Sequence, residues 1–172
     1  MLMRKDDVLL KKKNNNSGLR EMVGIRGEAR IVIIDKNTYK KLFDKTIKNV
    51  ITRNGIDLFT SRIASPWGAA IWCLELGTGT GTPSENDTEL FAPISESRKQ
   101  GTKTKVAYNQ IQYYVRYMPE ELVGYTFTEC GIWENTAGDL TGGILVNHLL
   151  IEPAIEKTAD ILVDFYINFY LS

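Results

Sequence analysis

Alternating apolar and polar residues predict β-strands along most of the chain. In residues 161–171 every second position, from Ile161 to Leu171, is apolar, while Asp164 and Asn168 fall on the opposite face. Residues 31–34 form a β-branched run that ends in the polar segment 35–38, which predicts a tight turn into a second strand. These patterns indicate a hairpin near the start of the domain and a strand at its end.

Further strands follow from apolar runs and turn signals. Residues 69–76 form an apolar run that is typical of a strand buried on both faces. Residues 103–117 read as one long strand whose apolar face changes parity near Asn109, so we expect a bulge or a face switch there. Two more strands are predicted, over residues 125–133 and 144–151.

A single short helix interrupts the strands. Ile56, Phe59 and Ile63 lie at i, i+3 and i+7, which gives one apolar stripe, and Pro66 ends it. We count seven or eight strands joined by turns rich in Gly, Pro and Asn. The chain is therefore predicted to be mainly β, as an antiparallel β-sandwich or a jelly-roll or β-tulip-like barrel with one short helix and an extended N-terminal arm.

The N-terminal segment differs from the rest in composition. Residues 1–23 mix charges with an Asn-rich run and hold too few apolar side chains to offset the entropy of ordering alone. We therefore predict an arm over residues 1–23 and a single β domain over residues 24–172. Its lysine triplet is either a solvated tail or a contact for a negatively charged neighbour. The candidate interaction residues of the arm are Val8, Leu9, Leu10, Lys11, Lys12 and Lys13.

The charge balance points to no class of partner. Lys and Arg total 21, as do Asp and Glu, so no net field favours nucleic acid, a membrane surface or an acidic substrate. The sequence has no apolar run of about 18 residues, and its first residues lack the apolar core of a secretory signal. We therefore expect synthesis in the cytoplasm, with neither nucleic acid nor membrane as a partner.

A Gly/Thr-rich loop follows the apolar run. Gly77, Gly79 and Gly81 suggest a phosphate-binding loop, but no Gly-Lys-Ser/Thr follows, and the third glycine of a dinucleotide fingerprint is missing at Thr82. We therefore expect no nucleotide and no other cofactor. If this loop binds anything, we expect a neighbouring protein surface, with the glycines chosen for backbone freedom.

Three acidic residues in apolar context, Glu75, Glu129 and Glu152, are candidates for a carboxylate pair that would hydrolyse a glycan. The alternative is that they are inward charges bonded to backbone amides or lysines, or charges that discourage edge-to-edge pairing. His148 is the only histidine, and a lone histidine in an apolar strand is more often a satisfied side chain than a base. We therefore predict no catalytic residue and no enzyme.

Cysteines and oxygen ligands give no metal site. Cys73 and Cys130 lie in apolar runs and read as small buried hydrophobes, with a disulfide between them left open. They lack the CxxC spacing of a zinc site. The oxygen-rich residues 86–88 lack the spacing of a calcium loop.

Aromatic residues on the predicted strands offer a second hypothesis, a carbohydrate-binding module in which rings stack on sugars. Packing between strands is the commoner use of such residues. The candidate stacking residues are Tyr113, Tyr117 and Trp133.

Several segments, taken in order, resemble a recurring pattern of bacteriophage virion proteins. They are GEARIVIID, KNVITRNG, LELGTG, PS, DTEL and FTECGIW, at residues 27–35, 48–55, 74–79, 83–84, 87–90 and 127–133. Proteins of this type are capsid decoration (cement) proteins and tail-fibre or tail-collar accessory proteins, which are small β domains used as repeated building blocks. The resemblance implies a structural function without catalytic residues. The basic arm and residues 98–105 depart from the pattern.

We therefore expect a capsid decoration subunit of the virion, made in the host cytoplasm, that clamps neighbouring subunits through its β domain and its arm. The expected partners are the major capsid protein or tail proteins, and the expected state on the particle is a homotrimer or another homo-oligomer. The alternative is a tail-fibre, tail-collar or baseplate accessory protein, with contact to a glycan.

Overall fold

A computed structural model describes residues 8–11, 22–64, 71–135 and 140–172 of the chain. The described residues form ten strands and one α-helix, which confirms the prediction of a mainly β fold with one short helix. The elements are β1 (Val8–Lys11), β2 (Met22–Asp35), β3 (Lys41–Ile51), α1 (Arg53–Ala64), β4 (Ile71–Gly77), β5 (Lys99–Gln100), β6 (Thr102–Ala107), β7 (Gln110–Tyr117), β8 (Thr126–Asn135), β9 (Ile144–Glu156) and β10 (Ile161–Leu171), with a 3-10 turn at Ser95–Ser97.

The strands form a nearly closed, antiparallel barrel-like sheet in the order β5-β4-β8-β9-β3-β2-β10-β7-β6, with β1 added to β2. The barrel-like sheet has two halves. The chain passes from one half to the other at two corners, as in other barrels and orthogonal sandwiches. Up to Asn49, β3 pairs with β2, whereas Val50 and Ile51 pair with β9. We call β3-β2-β10-β7-β6 sheet 1 and β5-β4-β8-β9 sheet 2.

Gly101 forms the second corner. It separates β5, which pairs with β4, from β6, which pairs with β7. A Cβ atom at this position would collide with the carbonyl oxygen of Tyr114, so only glycine lets the backbone pass this close. The hydroxyl of Tyr113 accepts a hydrogen bond from the Gly101 amide and donates one to the carbonyl of Trp72. This side chain therefore ties the two sheets together.

The core lies between the two sheets, where the inward residues predicted from alternation are found. In β10, Val163, Phe165, Ile167 and Phe169 are at most 2% exposed. Their rings and branched side chains pack against the inward residues of sheet 2 in one cluster. The period of two in the sequence thus assigned the inward face of β10 correctly.

Helix α1 packs on the core through Ile56 and Phe59 of the predicted stripe. The hydroxyl of Thr52 accepts the amide hydrogen of Gly55 at 3.0 Å, which caps the helix, and Ile56 is buried. The ring of Phe59 lies 6.0 Å from that of Trp72 and 5.4 Å from that of Phe169. The predicted helix end at residue 66 lies outside the described residues.

The prediction of one long strand over residues 103–117 was wrong. Residues Ala107 and Gln110 pair with each other, so β6 and β7 form a hairpin with Tyr108 and Asn109 at its tip. The change of parity near Asn109 therefore marks a turn rather than a bulge within one strand. Both backbone and side chain of Asn109 bond to Leu171, which anchors the turn to the end of β10.

Part of the predicted arm is a strand of the barrel. β1 pairs antiparallel with the first residues of β2, in the register Val8↔Ile25, Leu9↔Gly24, Leu10↔Val23 and Lys11↔Met22. β2 therefore begins at Met22, inside the range predicted as arm. Lys12 and Lys13 lie outside the described residues.

Candidate functional site

The loop that joins β4 to β5 is held by a buried carboxylate on β8. Glu129 is 0% exposed. Its oxygens accept the amide hydrogens of Gly79, Phe91 and Ala92 at 3.0, 3.0 and 2.8 Å. Because one side chain bonds the start of the loop at Gly79 and its later residues Phe91 and Ala92, it fixes the loop against the outer face of sheet 2.

His148 on β9 extends this anchor. Its Nε2 atom lies 2.8 Å from Glu129 Oε2, and its Nδ1 atom lies 2.6 Å from Asp87 Oδ2 in the middle of the loop. Asp87 also accepts the amide hydrogen of Ser84 at 2.8 Å. The imidazole is therefore a bridge between the barrel and the loop, and we call Asp87, Glu129 and His148 the loop anchor.

A β-bulge aims His148 at the loop. The register between β8 and β9 shifts between Ile132 and Trp133, so that Ile132 pairs with Asn147 and Trp133 with Leu145. The side chain of Asn147 accepts the Ile132 amide hydrogen at 3.0 Å. The extra residue, Val146, changes the parity of the strand and turns His148 outward.

Burial and hydrogen bonds shift the pKa values of His148 and Glu129 in opposite directions. Burial lowers the pKa of His148, but hydrogen bonds to Glu129 and Asp87 outweigh it, so this pKa lies above its usual value. Burial raises the pKa of Glu129, but the bond to His148 and the three amides outweigh it, so this pKa is lowered. The contacts therefore favour the protonated imidazole of His148 and the ionised carboxylate of Glu129 more than solvent does. Both ring nitrogens are bonded and the side chain has 0% exposure, so the imidazole is closed to a substrate.

The three loop glycines are required for close approach rather than for backbone freedom, which corrects the reason given from sequence. The described glycines with positive φ are Gly124, Gly142 and Gly143. A Cβ atom on Gly79 would lie 2.6 Å from Glu129 Oε1, and one on Gly81 would lie 2.6 Å from the ring of Phe91. At Gly77 an added Cβ would also meet Glu129. Gly77 and Gly79 thus make room for Glu129 of the loop anchor, and Gly81 makes room for the ring of Phe91.

Trp133 is enclosed between sheet 2 and the loop that joins β4 to β5, so it is not placed to stack on a sugar. It is 6% exposed, and the guanidinium carbon of Arg98 lies 4.2 Å from its ring centroid. Arg98 also pairs with Glu75 at 2.9 Å and donates to the carbonyl of Gly142 at 2.6 Å. Trp133, Cys73, Leu90 and Leu145 form a small second core between sheet 2 and the loop.

Tyr113 and Tyr117 are also enclosed, which excludes the proposed stacking on sugars in this fold. Each is 1% exposed, and the Tyr117 hydroxyl donates to the carbonyl of Ser97 at 2.7 Å. Burial raises the pKa of Tyr117 far above its usual value. Packing between the sheets, the alternative given from sequence, is the use that these two rings have.

Other rings line the outer face of sheet 1, where they contact arginines or each other. Tyr166 lies between the guanidinium of Arg30, at 5.9 Å, and the ring of Tyr114, at 4.9 Å. Arg26 covers the ring of Tyr170 at 4.4 Å. The alternation of β7 and β10 in the sequence could have indicated that these tyrosines share the outer face.

The candidate carboxylates do not form an open pair. Glu75 and Glu129 are 4% and 0% exposed. Glu75 is bonded to Arg98, and Glu129 is bonded to His148. Glu152 is exposed on β9. The alternative given from sequence, that these acids bond to backbone amides or to lysines, includes the amide bonds of Glu129. It did not include the pairing of Glu75 with an arginine or of Glu129 with a histidine.

The cysteines and the acidic cluster have structural surroundings. Cys73 and Cys130 are free and buried, and they belong to the second core and the main core respectively. They therefore lie on opposite faces of sheet 2, which explains why no disulfide joins them. Within the described ranges, no three His, Cys, Asp or Glu side chains are grouped to hold a metal ion.

Comparison with protein-family models, with curated proteins and with solved structures gave no match. In the part of the chain that the structure describes, no helix combines the length and apolar character needed to cross a membrane.

Proposed function

We propose that the chain is a non-enzymatic structural subunit of a bacteriophage particle, and specifically a capsid decoration subunit that clamps its neighbours through its β domain and N-terminal arm. The observation that carries this proposal is the pairing of Val8–Lys11 with Met22–Ile25. A segment whose composition predicts an arm adds a strand to an edge of the barrel. Strand addition supplies a contact made of backbone hydrogen bonds, which is a recurring way of joining proteins.

The loop anchor supports the same function. Three ionisable side chains and three backbone amides hold the loop over sheet 2, and Arg98 holds its far end. These contacts give a rigid outer surface, whereas a catalytic site needs such groups open to a substrate. A rigid unit is what repeated contacts in a symmetric shell require.

The alternative is a tail-fibre, tail-collar or baseplate accessory protein with contact to a glycan. One observation favours it. Tyr39 and Tyr108, at the tips of two hairpins, are 75% and 89% exposed, and exposed rings at hairpin tips are suited to contact with a sugar or a receptor.

The test uses gradient-purified particles of the virus that encodes the chain. We expect the chain in a constant ratio to the major capsid protein, and a labelled copy should appear on the head in electron micrographs. A label on the tail would favour the alternative, and absence of the chain from the particles would overturn both.

Two deletions test the arm on particles stripped of the native subunit. Removing residues 2–18 deletes β1 and leaves β2 complete, and we expect particle occupancy to fall at least tenfold. Removing residues 2–7 keeps β1 and serves as the matched control, with occupancy retained. Circular dichroism shows whether each barrel is folded. Equal occupancy for the two deletions would overturn the role of the arm.

A further inference from the structure

The edge of β2 at residues 22–25 needs a partner strand. β3 pairs with β2 only from Gly27 onward, because its last residues turn to β9. On the other side, Gly24 exchanges two backbone hydrogen bonds with Ser172 at 2.7 and 2.9 Å. The side that β3 leaves is therefore the open edge, and unpaired amides there form a template for another strand. In this structure β1 occupies it.

The connection between β1 and β2 is longer than a hairpin needs. Lys11 and Met22 are directly paired, and residues 12–21 separate them. A connection of two to five residues closes most hairpins. Ten residues can span about 33–36 Å when extended, while a domain of roughly 150 residues has a radius of gyration of about 15 Å. The connection can therefore reach the same edge on an adjacent copy.

The surroundings of this edge are suited to contact with a second copy. The tip of the β6–β7 hairpin lies at the same end of the barrel, because Asn109 and Gly24 bond to the consecutive residues Leu171 and Ser172. Tyr108 at this tip is 89% exposed, and Val106 is 52% exposed. Exposed aromatic and branched side chains beside an open strand edge are features of an interface.

We propose that β1 is exchanged between copies of the chain, so that Val8–Lys11 of one copy pairs with Met22–Ile25 of another. This inference rests on the proposed function and names the partner of the arm as a second copy. Exchange keeps the same register and the same backbone bonds, so little free energy separates the two arrangements. Self-pairing has an effective concentration of about millimolar. Exchange therefore competes with self-pairing where the local concentration of copies approaches this value, as it does when copies are crowded on a shell.

The test is a disulfide between two different variants of the full chain. Leu10→Cys and Val23→Cys are purified separately, mixed at about 1 mM and oxidised slowly. Leu10 and Val23 are paired in the register, and paired strand positions lie within disulfide range. The native cysteines are buried and do not compete. We expect a covalent heterodimer, identified by the joined peptides in mass spectrometry.

The matched control mixes Leu9→Cys with Val23→Cys. Leu9 pairs with Gly24 and is one residue out of register with Val23, and successive strand positions belong to opposite faces, so we expect cross-linking at least tenfold slower. Equal rates for the two mixtures would overturn the exchange. So would a double variant, Leu10→Cys/Val23→Cys, that forms only monomers with an internal disulfide at every concentration up to 1 mM.

Particle binding separates failure of the exchange from failure of the proposed function. The double variant, oxidised at low concentration, has its own β1 locked in place. If this locked monomer binds particles as well as its reduced form does, the exchange is wrong and decoration stands. If the reduced form binds and the locked form does not, exchange is required. If heterodimers form in solution but no variant and no native chain binds particles, the proposed function fails alone.

Discussion

The Nε2 atom of His148 lies 2.8 Å from Oε2 of Glu129, and both side chains are fully buried. They come from neighbouring strands, yet the groups that complete their bonding belong to the loop between β4 and β5. Ionic groups inside a protein are stable only when they are paired and hydrogen-bonded. The loop therefore supplies the hydrogen bonds that stabilise the buried charges of β8 and β9, and these two side chains in turn hold the loop in place.

Replacing Glu129 by Gln should destabilise the fold by about 3 kcal/mol, because the change removes a negative charge that faces an imidazolium and three amides. Urea unfolding followed by circular dichroism measures the loss. Glu89→Gln, at an exposed position of the same loop, is the control and should stay within about 0.5 kcal/mol of the native chain. A loss below about 1 kcal/mol for Glu129→Gln would contradict the anchor.

Stability should depend on pH through the same pair. The raised pKa of His148 gives a contribution that is complete below about pH 6.5 and is lost as the pH rises through the folded pKa. The lowered pKa of Glu129 gives a contribution that is complete above about pH 4.3 and is lost as the pH falls through the folded pKa. The two contributions are therefore both complete between about pH 4.3 and 6.5.

The free energy of unfolding, measured in urea from pH 4 to 9, should exceed that of His148→Gln by its largest margin near pH 5–6. The margin should shrink as the pH rises through the raised pKa of His148 and the imidazole loses its proton. His148 is the only histidine, so no other imidazole contributes to this change. A margin that does not vary with pH would show that the ring acts only by packing.

The sequence predicted the fold better than the site, and particular residues explain why. The inward faces of β7 and β10 follow from alternation, a local property that survives in any sheet, so Tyr113 and Phe165 could be assigned to one face. The loop anchor joins residues far apart in the chain, and it also requires the bulge at Val146. Neither the bulge nor the loop path is encoded in a local pattern. The sequence therefore indicates Glu129 and His148 as unusual residues, but it does not predict that they contact each other.

Gly81 should be coupled to Phe91. A Cβ atom on Gly81 would lie 2.6 Å from Cε2 of Phe91, whose ring covers His148 at 4.7 Å. We expect Gly81→Ala to cost about 1–2 kcal/mol by overpacking. In a Phe91→Ala background, where the ring is absent, the same change should cost less than about 0.5 kcal/mol. Thr80→Ala, at the exposed neighbour, is the control. Additive effects of the two changes would contradict this contact.

Arg98 should be far more sensitive to replacement by lysine than Arg53 is. Both arginines pair with a glutamate, but the side chains of Arg98 and Glu75 are 14% and 5% exposed, whereas those of Arg53 and Glu85 are 66% and 41% exposed. An exposed pair contributes about 0–1 kcal/mol. A lysine at position 98 cannot reproduce the planar stack on Trp133 or the bonds to the carbonyls of Leu140 and Gly142.

We therefore expect Arg98→Lys to cost about 2–3 kcal/mol in urea unfolding and Arg53→Lys to cost less than about 1 kcal/mol. The first change should also alter the tryptophan fluorescence of the folded protein, because Trp133 loses its cover, while the second should leave the spectrum unchanged. Equal losses for the two variants would mean that Arg98 holds neither the loop end nor the second core. A changed spectrum without a loss of stability would mean that the guanidinium covers the indole but does not fasten the loop.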